Sequence, residues 1–214
     1  MSLKSRYLPV LDRKFARLVT NAVVRQPALW RVLRGPMRRQ FHRLAPVWDD
    51  ARDPDHLASY EAALAAVTSP PRRALDLGTG TGAGALAIAR HFTEAEVIGA
   101  DLADGMLVEA RRKLPRDLAA RVTFEQADAA ALPYPDRAFD LVGLANMIPF
   151  FDELARVVDD GGYVLFGFSG SAETPIYVPF ELLRSELARR GFTHFADFAA
   201  GRGTALLAQK EKPD

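Results

Sequence analysis

A chain of 214 residues, 49% apolar and 26% charged, has the composition of a soluble globular protein long enough to bury a full core. The absence of cysteine excludes disulfides and thiolate chemistry and fits a reducing cytoplasm, and His42, His56, His91 and His194 show no metal-ligand spacing, so no metal is expected. The formal charge of +1 conceals a division: residues 1–45 carry eleven Lys/Arg and one acid, Asp12, a balance of +10, whereas the remainder has 17 bases against 26 acids.

No apolar run approaches the roughly 20 residues that span a bilayer, and MSLKSRYLPVLDRKF lacks a continuous apolar stretch, so no signal peptide is expected. Residues 7–45 read as short helices broken at Gln26-Pro27 and Gly35-Pro36. Leu11, Phe15, Leu18 and Ala22 fall on one helical face, with Arg6, Arg13 and Arg17 on the other. HLASYEAALAAV continues as helix until Ser69-Pro70-Pro71.

After residue 72 strand and helix alternate. Strands are expected at 73–77, 96–100, 122–126, 139–145 and 163–168. The intervening helices are expected at 83–90, at 106–113 with Asp104 as its cap, and at 152–158 ahead of a Gly161-Gly162 turn. A helix over 179–190, stopped by Gly191, precedes a hairpin of strands 192–198 and 204–209. The pattern predicts a Rossmann-like α/β sheet, mostly parallel with an antiparallel final strand. Residues 71–214 would form this core, and 1–70 a basic helical cap.

ALDLGTGTGAG, residues 74–84, places four glycines between the first strand and its helix, at the sheet edge where doubly wound folds bind ligands. No lysine follows, which excludes a triphosphate loop. A dinucleotide fingerprint can be laid over Gly78, Gly80 and Ala83 with Asp101 on a ribose, which keeps an NAD-binding oxidoreductase as an alternative. Asp76 opposes it, because a carboxylate just before the loop suits a cation better than a pyrophosphate.

ALDLGTGTGAG resembles the first motif of the class I S-adenosylmethionine-dependent methyltransferases, and the likeness continues in order through VIGADLADGML, FEQADAAALPYPDRAFDLV, ELARVVDDGGYVLF and GRGTALLAQK. LAPVWDD resembles the small-molecule methyltransferases of ubiquinone and menaquinone synthesis. The resemblance implies S-adenosylmethionine as cofactor, S-adenosylhomocysteine as product, and a set of cofactor-binding residues. Gly78, Thr79, Gly80 and Gly82 would approach its methionine portion, Asp76 its ammonium and Asp101 its ribose. Leu102, Met106, Asp128 and Ala129 would hold the adenine, with Asn146 beside the site. Asp76 and Asp128 also have plain readings, as turn or helix caps.

The acceptor is expected to be a small apolar or aromatic molecule, bordered by Met147 and Phe150 after the fourth strand and by Trp48, Tyr60 and Tyr177. Asn146-Met147-Ile148-Pro149-Phe150 departs from the motif of nucleic-acid base methyltransferases, and the histidine pair of many small-molecule relatives is absent. No catalytic base is assigned, although His42 and His56 lie nearest the expected mouth. A lid over the cleft is the first reading of the basic segment. Peripheral contact with an anionic membrane, and RNA binding by an RNA methyltransferase, are its rivals. A cofactor-binding relative without turnover is a further alternative. The expected location is cytoplasmic, or peripheral to a membrane.

Overall fold

Seven strands run in chain order as β1 (Arg73–Leu77), β2 (Glu96–Asp101), β3 (Val122–Gln126), β4 (Phe139–Ala145), β5 (Val158–Phe168), β6 (Phe192–Ala200) and β7 (Gly203–Lys210). They form one sheet ordered β3-β2-β1-β4-β5-β7-β6 in the computed structural model, which describes residues 10–212. β1 pairs parallel to both β2 and β4, so the winding reverses there and opens a crevice at the carboxyl ends of these strands. Only β7 runs against its neighbours, pairing antiparallel with β5 and β6. The expected sheet and its terminal hairpin are borne out.

Helices cover both faces. α1 (Val10–Arg25), α2 (Trp30–Leu44), α6 (Phe151–Val157) and α7 (Phe180–Ala188) bury their apolar sides with Leu75, Leu77, Val142 and Val164. α3 (Ala58–Leu64), α4 (Ala83–His91) and α5 (Asp104–Lys113) pack with Ala74, Leu141 and Leu165 on the other face. Alternate residues of one strand therefore enter two cores, and the central strands read as near-continuous apolar runs. Asp76 is the exception within β1.

Four local expectations need correction. Gly161-Gly162 is not a free turn: β5 begins at Val158 and runs through it, with Gly161 at φ 78° in an irregularity that shifts the β4 pairing between Phe139 and Leu141. Pro36 lies inside α2 rather than breaking it. The hydrogen bond it removes belongs to the carbonyl four residues back, at Val32, which is 74% exposed and open to water. Asp104 does not cap α5; Ala103 is the cap residue, its amide donates to Asp101 Oδ1 at 2.8 Å, and Asp104 meets His42 Nδ1 at 3.0 Å instead.

The fourth correction concerns α1, whose buried stripe is Ala16, Val19, Thr20 and Val23, with Leu18 68% exposed. The helix is turned by about one residue from its expected face. Arg17 explains the rotation, donating to the carbonyls of Ala172 at 2.8 Å and Thr174 at 2.6 Å and so facing the body of the protein. Arg6 and the side chain of Leu11 lie outside the described residues.

Candidate functional site

A cleft of about 310 Å³ opens over the carboxyl end of β1, between the sheet and the helices α1 and α2. Its floor is the glycine loop. Gly78 and Gly80 hold φ of 72° and 55°, in the left-handed region that favours glycine. A Cβ at Gly78 would come within 2.6 Å of Met147 Sδ. Gly82, at φ 92°, does not line the cleft: it caps α4 and its α-carbon faces Phe124 and Ala110, so its role is close packing of loop against sheet.

Asp76 is 1% exposed and sits beneath this loop. Its Oδ2 accepts from Thr79 Oγ1 at 2.6 Å, while Oδ1 is buried with no hydrogen-bond partner within the protein. Burial, reinforced by the negative charge of Asp101, raises its pKa to about 6, against the stabilising hydrogen bonds of Thr79 and Ala85. Gly84 is a further site residue, one that the sequence pattern does not single out. It lines the cleft, and any side chain there would collide with the Asp76 carboxyl group. The pattern of the loop alone distinguished it poorly from an ordinary helix residue.

Asp101 closes the end of β2. Its Oδ2 accepts from the Gly80 amide at 2.9 Å and its Oδ1 from Ala103, so it braces the loop while keeping lone pairs for a ligand. Burial raises its pKa, and the amides of Ala103, Gly80 and Leu102 oppose the shift. Leu102, Met106 and Ala129 also line the cleft. Asn146, just past the end of β4, lines it at φ 54°, fixed by paired bonds with Ser169: Nδ2 donates to Oγ at 3.1 Å and Oδ1 accepts from the amide at 3.0 Å.

Asp128 is placed differently from expectation. It does not line the cleft, because Trp30 Nε1 donates to its Oδ1 at 2.7 Å and Arg34 pairs with its Oδ2 at 3.1 Å. The carboxylate thus holds α2 to the core, and Ala130 donates to it as the helical-turn reading anticipated. Among the expected acceptor residues, Trp48 and Met147 line the cleft and three do not. Tyr60 is 1% exposed beneath the sheet, pressed against Gly143 and Gly167. Phe150 backs Trp30 at a centroid distance of 5.3 Å, and Tyr177 packs on Phe168 at 5.0 Å. Sequence periodicity cannot separate an aromatic that walls a cleft from one behind the wall.

The turn after α2 supplies residues that sequence reasoning did not assign. Asp49 receives Thr81 Oγ1 at 2.6 Å and pairs with Lys113, tying this turn to the glycine loop. Burial lowers the pKa of Arg52, while Asp49 and Asp76 counter it, and its guanidinium lies 5.7 Å over the Trp48 ring. Trp30, Met37, Phe41, Ile148 and Ile176 complete a mainly apolar roof. Among the described residues no cluster of three or more His, Asp or Glu is placed to hold a metal, and no helix is long and apolar enough to cross a membrane.

Residues 74–162 match the family model described as "Methyltransferase domain". Over this stretch the core is similar to the class I S-adenosylmethionine-dependent methyltransferases. Its matched stretch runs from β1 to the β5 irregularity and includes the whole glycine loop. The domain is 47% identical over 105 residues to a demethylmenaquinone methyltransferase of Thermus thermophilus, covering 45% of this chain and 47% of that protein. It is 37% identical over 111 residues to a trans-aconitate 2-methyltransferase of Methylobacterium nodulans, covering 49% and 41%. The chain thus spans less than half the length of either relative. An S-adenosylmethionine-dependent methyltransferase from Aquifex aeolicus shares the fold, with a TM-score of 0.61 at 18% identity over 74% of this chain and 94% of that one. The family likeness read from the sequence is borne out, and the dinucleotide reading of the loop is set aside in favour of the methyltransferase domain.

Proposed function

We propose that this chain binds S-adenosylmethionine along the carboxyl edge of β1 and β2 and transfers its methyl group to a small apolar or aromatic acceptor. The observation that carries the reading is Asp76: a buried carboxylate with an unpartnered oxygen, beneath a loop whose glycines admit close backbone approach. Such an oxygen is costly unless a cationic ligand joins it, and an ammonium group fits. Asp101 would accept from the ribose hydroxyls, and Leu102, Met106 and Ala129 would enclose the adenine. With Asp128 committed to Trp30 and Arg34, adenine recognition falls to these apolar contacts and to backbone groups.

When bound, the sulfonium supplies an already activated methyl group, so the protein's task is alignment and exclusion of water. Met147, Trp48 and the apolar roof do this by giving the acceptor a dry, shaped approach to the glycine loop. Two arginines of the basic segment, Arg17 and Arg34, are engaged with the protein itself, which favours a cap over the cleft and weighs against an RNA surface there.

A thermal-shift titration with S-adenosylmethionine, S-adenosylhomocysteine, NAD and NADP tests the reading. Stabilisation by the sulfur nucleosides alone is expected, of about 2.7 kcal/mol at a hundred times the dissociation constant. Stabilisation by NAD alone would overturn it.

A further inference from the structure

The methyltransferase reading leaves one half-buried imidazole in the cleft without a task. His56 lies between the turn that carries Arg52 and the start of α3, and it lines the cavity. Its Nδ1 is 2.8 Å from the Asp53 carbonyl oxygen. A carbonyl can only accept, so Nδ1 carries the proton and Nε2 presents its lone pair. Nε2 is closed to bulk solvent and has no hydrogen-bond partner in the protein. A fixed tautomer with an unpartnered acceptor nitrogen is one requirement of a proton-accepting imidazole.

The surroundings favour the neutral ring. Burial is the largest effect lowering its pKa, and the Arg52 cation adds to it; the Asp53 hydrogen bond and the charges of Asp49 and Glu61 act the other way. Arg202, from the β6–β7 turn, also lines the cleft and lies 3.7 Å from Asp53, which offsets that carboxylate. A neutral imidazole is the form that can take up a proton near neutral pH.

Resting on the proposed methyl transfer, we infer that His56 Nε2 is the general base of the site and that the acceptor bears a phenolic or enolic hydroxyl. A carboxylate acceptor arrives ionised at neutral pH, has no proton to give, and would set two hydrogen-bond acceptors face to face. A hydroxyl donates to Nε2, and its aromatic or conjugated body matches the walls formed by Trp30, Met37, Met147 and Ile176. In the step, the O–H bond breaks and its proton passes to Nε2. The electron pair left on the acceptor forms the new bond to the methyl carbon, and the carbon–sulfur pair remains on sulfur, leaving a neutral thioether. The imidazolium then returns its proton to water.

The test uses the full chain with ¹⁵N-labelled histidine, saturated with S-adenosylhomocysteine, with His56 assigned through the His56→Gln variant. Long-range ¹⁵N–¹H spectra should show Nδ1 protonated and Nε2 bare at neutral pH. Adding 1-naphthol, the hydroxyl probe, should move the Nε2 resonance, whereas octanoate, the carboxylate probe, should not. With S-adenosylmethionine, methylation of 1-naphthol should fall at least a hundredfold in His56→Gln at pH 7, and by less as pH rises toward the ionisation of the naphthol itself. S-adenosylhomocysteine affinity should be unchanged in the variant. A proton on Nε2, no response to 1-naphthol, a response to octanoate instead, or an unchanged rate in His56→Gln overturns the proposal. Failure of the native chain to bind S-adenosylhomocysteine would overturn the cofactor reading beneath it.

Discussion

Asp76 shows how a site residue can oppose the fold it belongs to. Its folded pKa of about 6 exceeds the ordinary 3.8, so between those values the folded chain holds more protons than the unfolded one. Stability from this group therefore declines as pH rises through that window, and above it the ionised carboxylate costs up to about 3 kcal/mol. Asp76→Asn should accordingly raise the melting temperature at pH 7, with the difference disappearing near pH 4, while abolishing S-adenosylhomocysteine binding. Parallel melting curves and calorimetry would show both. A bound ammonium needs the ionised form, so cofactor affinity should fall toward tenfold per unit as pH drops below about 6. Calorimetry at pH 7.5 and 5 would reveal a flat profile if Asp76 plays no part. Asp101→Ala should weaken the same ligand at least tenfold, since it removes both a ribose acceptor and the brace on the Gly80 amide.

Packing between elements depends on pairs that no single stretch of chain reveals. The Tyr60 hydroxyl of α3 lies against Gly143 of β4, and it is buried without a hydrogen-bond partner. Tyr60→Phe should therefore be neutral or stabilise the fold by about 1 kcal/mol. Gly143→Ala would drive a methyl group into that hydroxyl and should destabilise by a few kcal/mol. The double variant should recover part of the loss, because the nearest remaining ring atom is 3.0 Å from the new Cβ. Urea denaturation of the four proteins gives the coupling directly. Additive losses would mean the two residues are not packed as described.

The basic and acidic parts of the chain meet across the cleft. α2 is anchored at its start by one aromatic residue: Trp30 is 5% exposed, packs against Phe150 with the rings tilted by 60°, and donates to Asp128. The Arg34–Asp128 pair beside it is partly exposed and contributes less, as surface ion pairs do. Trp30→Ala should thus detach the cap without unfolding the sheet. Hydrogen exchange should quicken across residues 10–44 and change little in β1 and β4. Uniform protection in the variant would show that the cap is held by something other than this anchor.

Strand and helix alternation was legible from residue 73 onward because parallel strands buried on both faces need continuous apolar runs, and the glycine loop marks where the first of them ends. Gly78, Gly80, Asp76 and Asp101 were legible for the same reason: their positions follow from strand ends. The rotation of α1, the passage of α2 through Pro36 and the burial of Tyr60 were not. A helical stripe of Leu11, Phe15, Leu18 and Ala22 is as periodic as the one that is buried, and tertiary contacts such as the Arg13 and Arg17 bonds to the 172–174 carbonyls choose between them. Asp128 belongs to the same class: its place at a strand end is local, but its commitment to Trp30 and Arg34 requires a helix some ninety residues earlier in the chain to arrive beside it. Local sequence carries periodicity and backbone freedom, which set the sheet and the floor of the site. Which side chains roof that floor, and which are spent holding the roof, is decided by contacts between distant segments that exist only once the chain is folded.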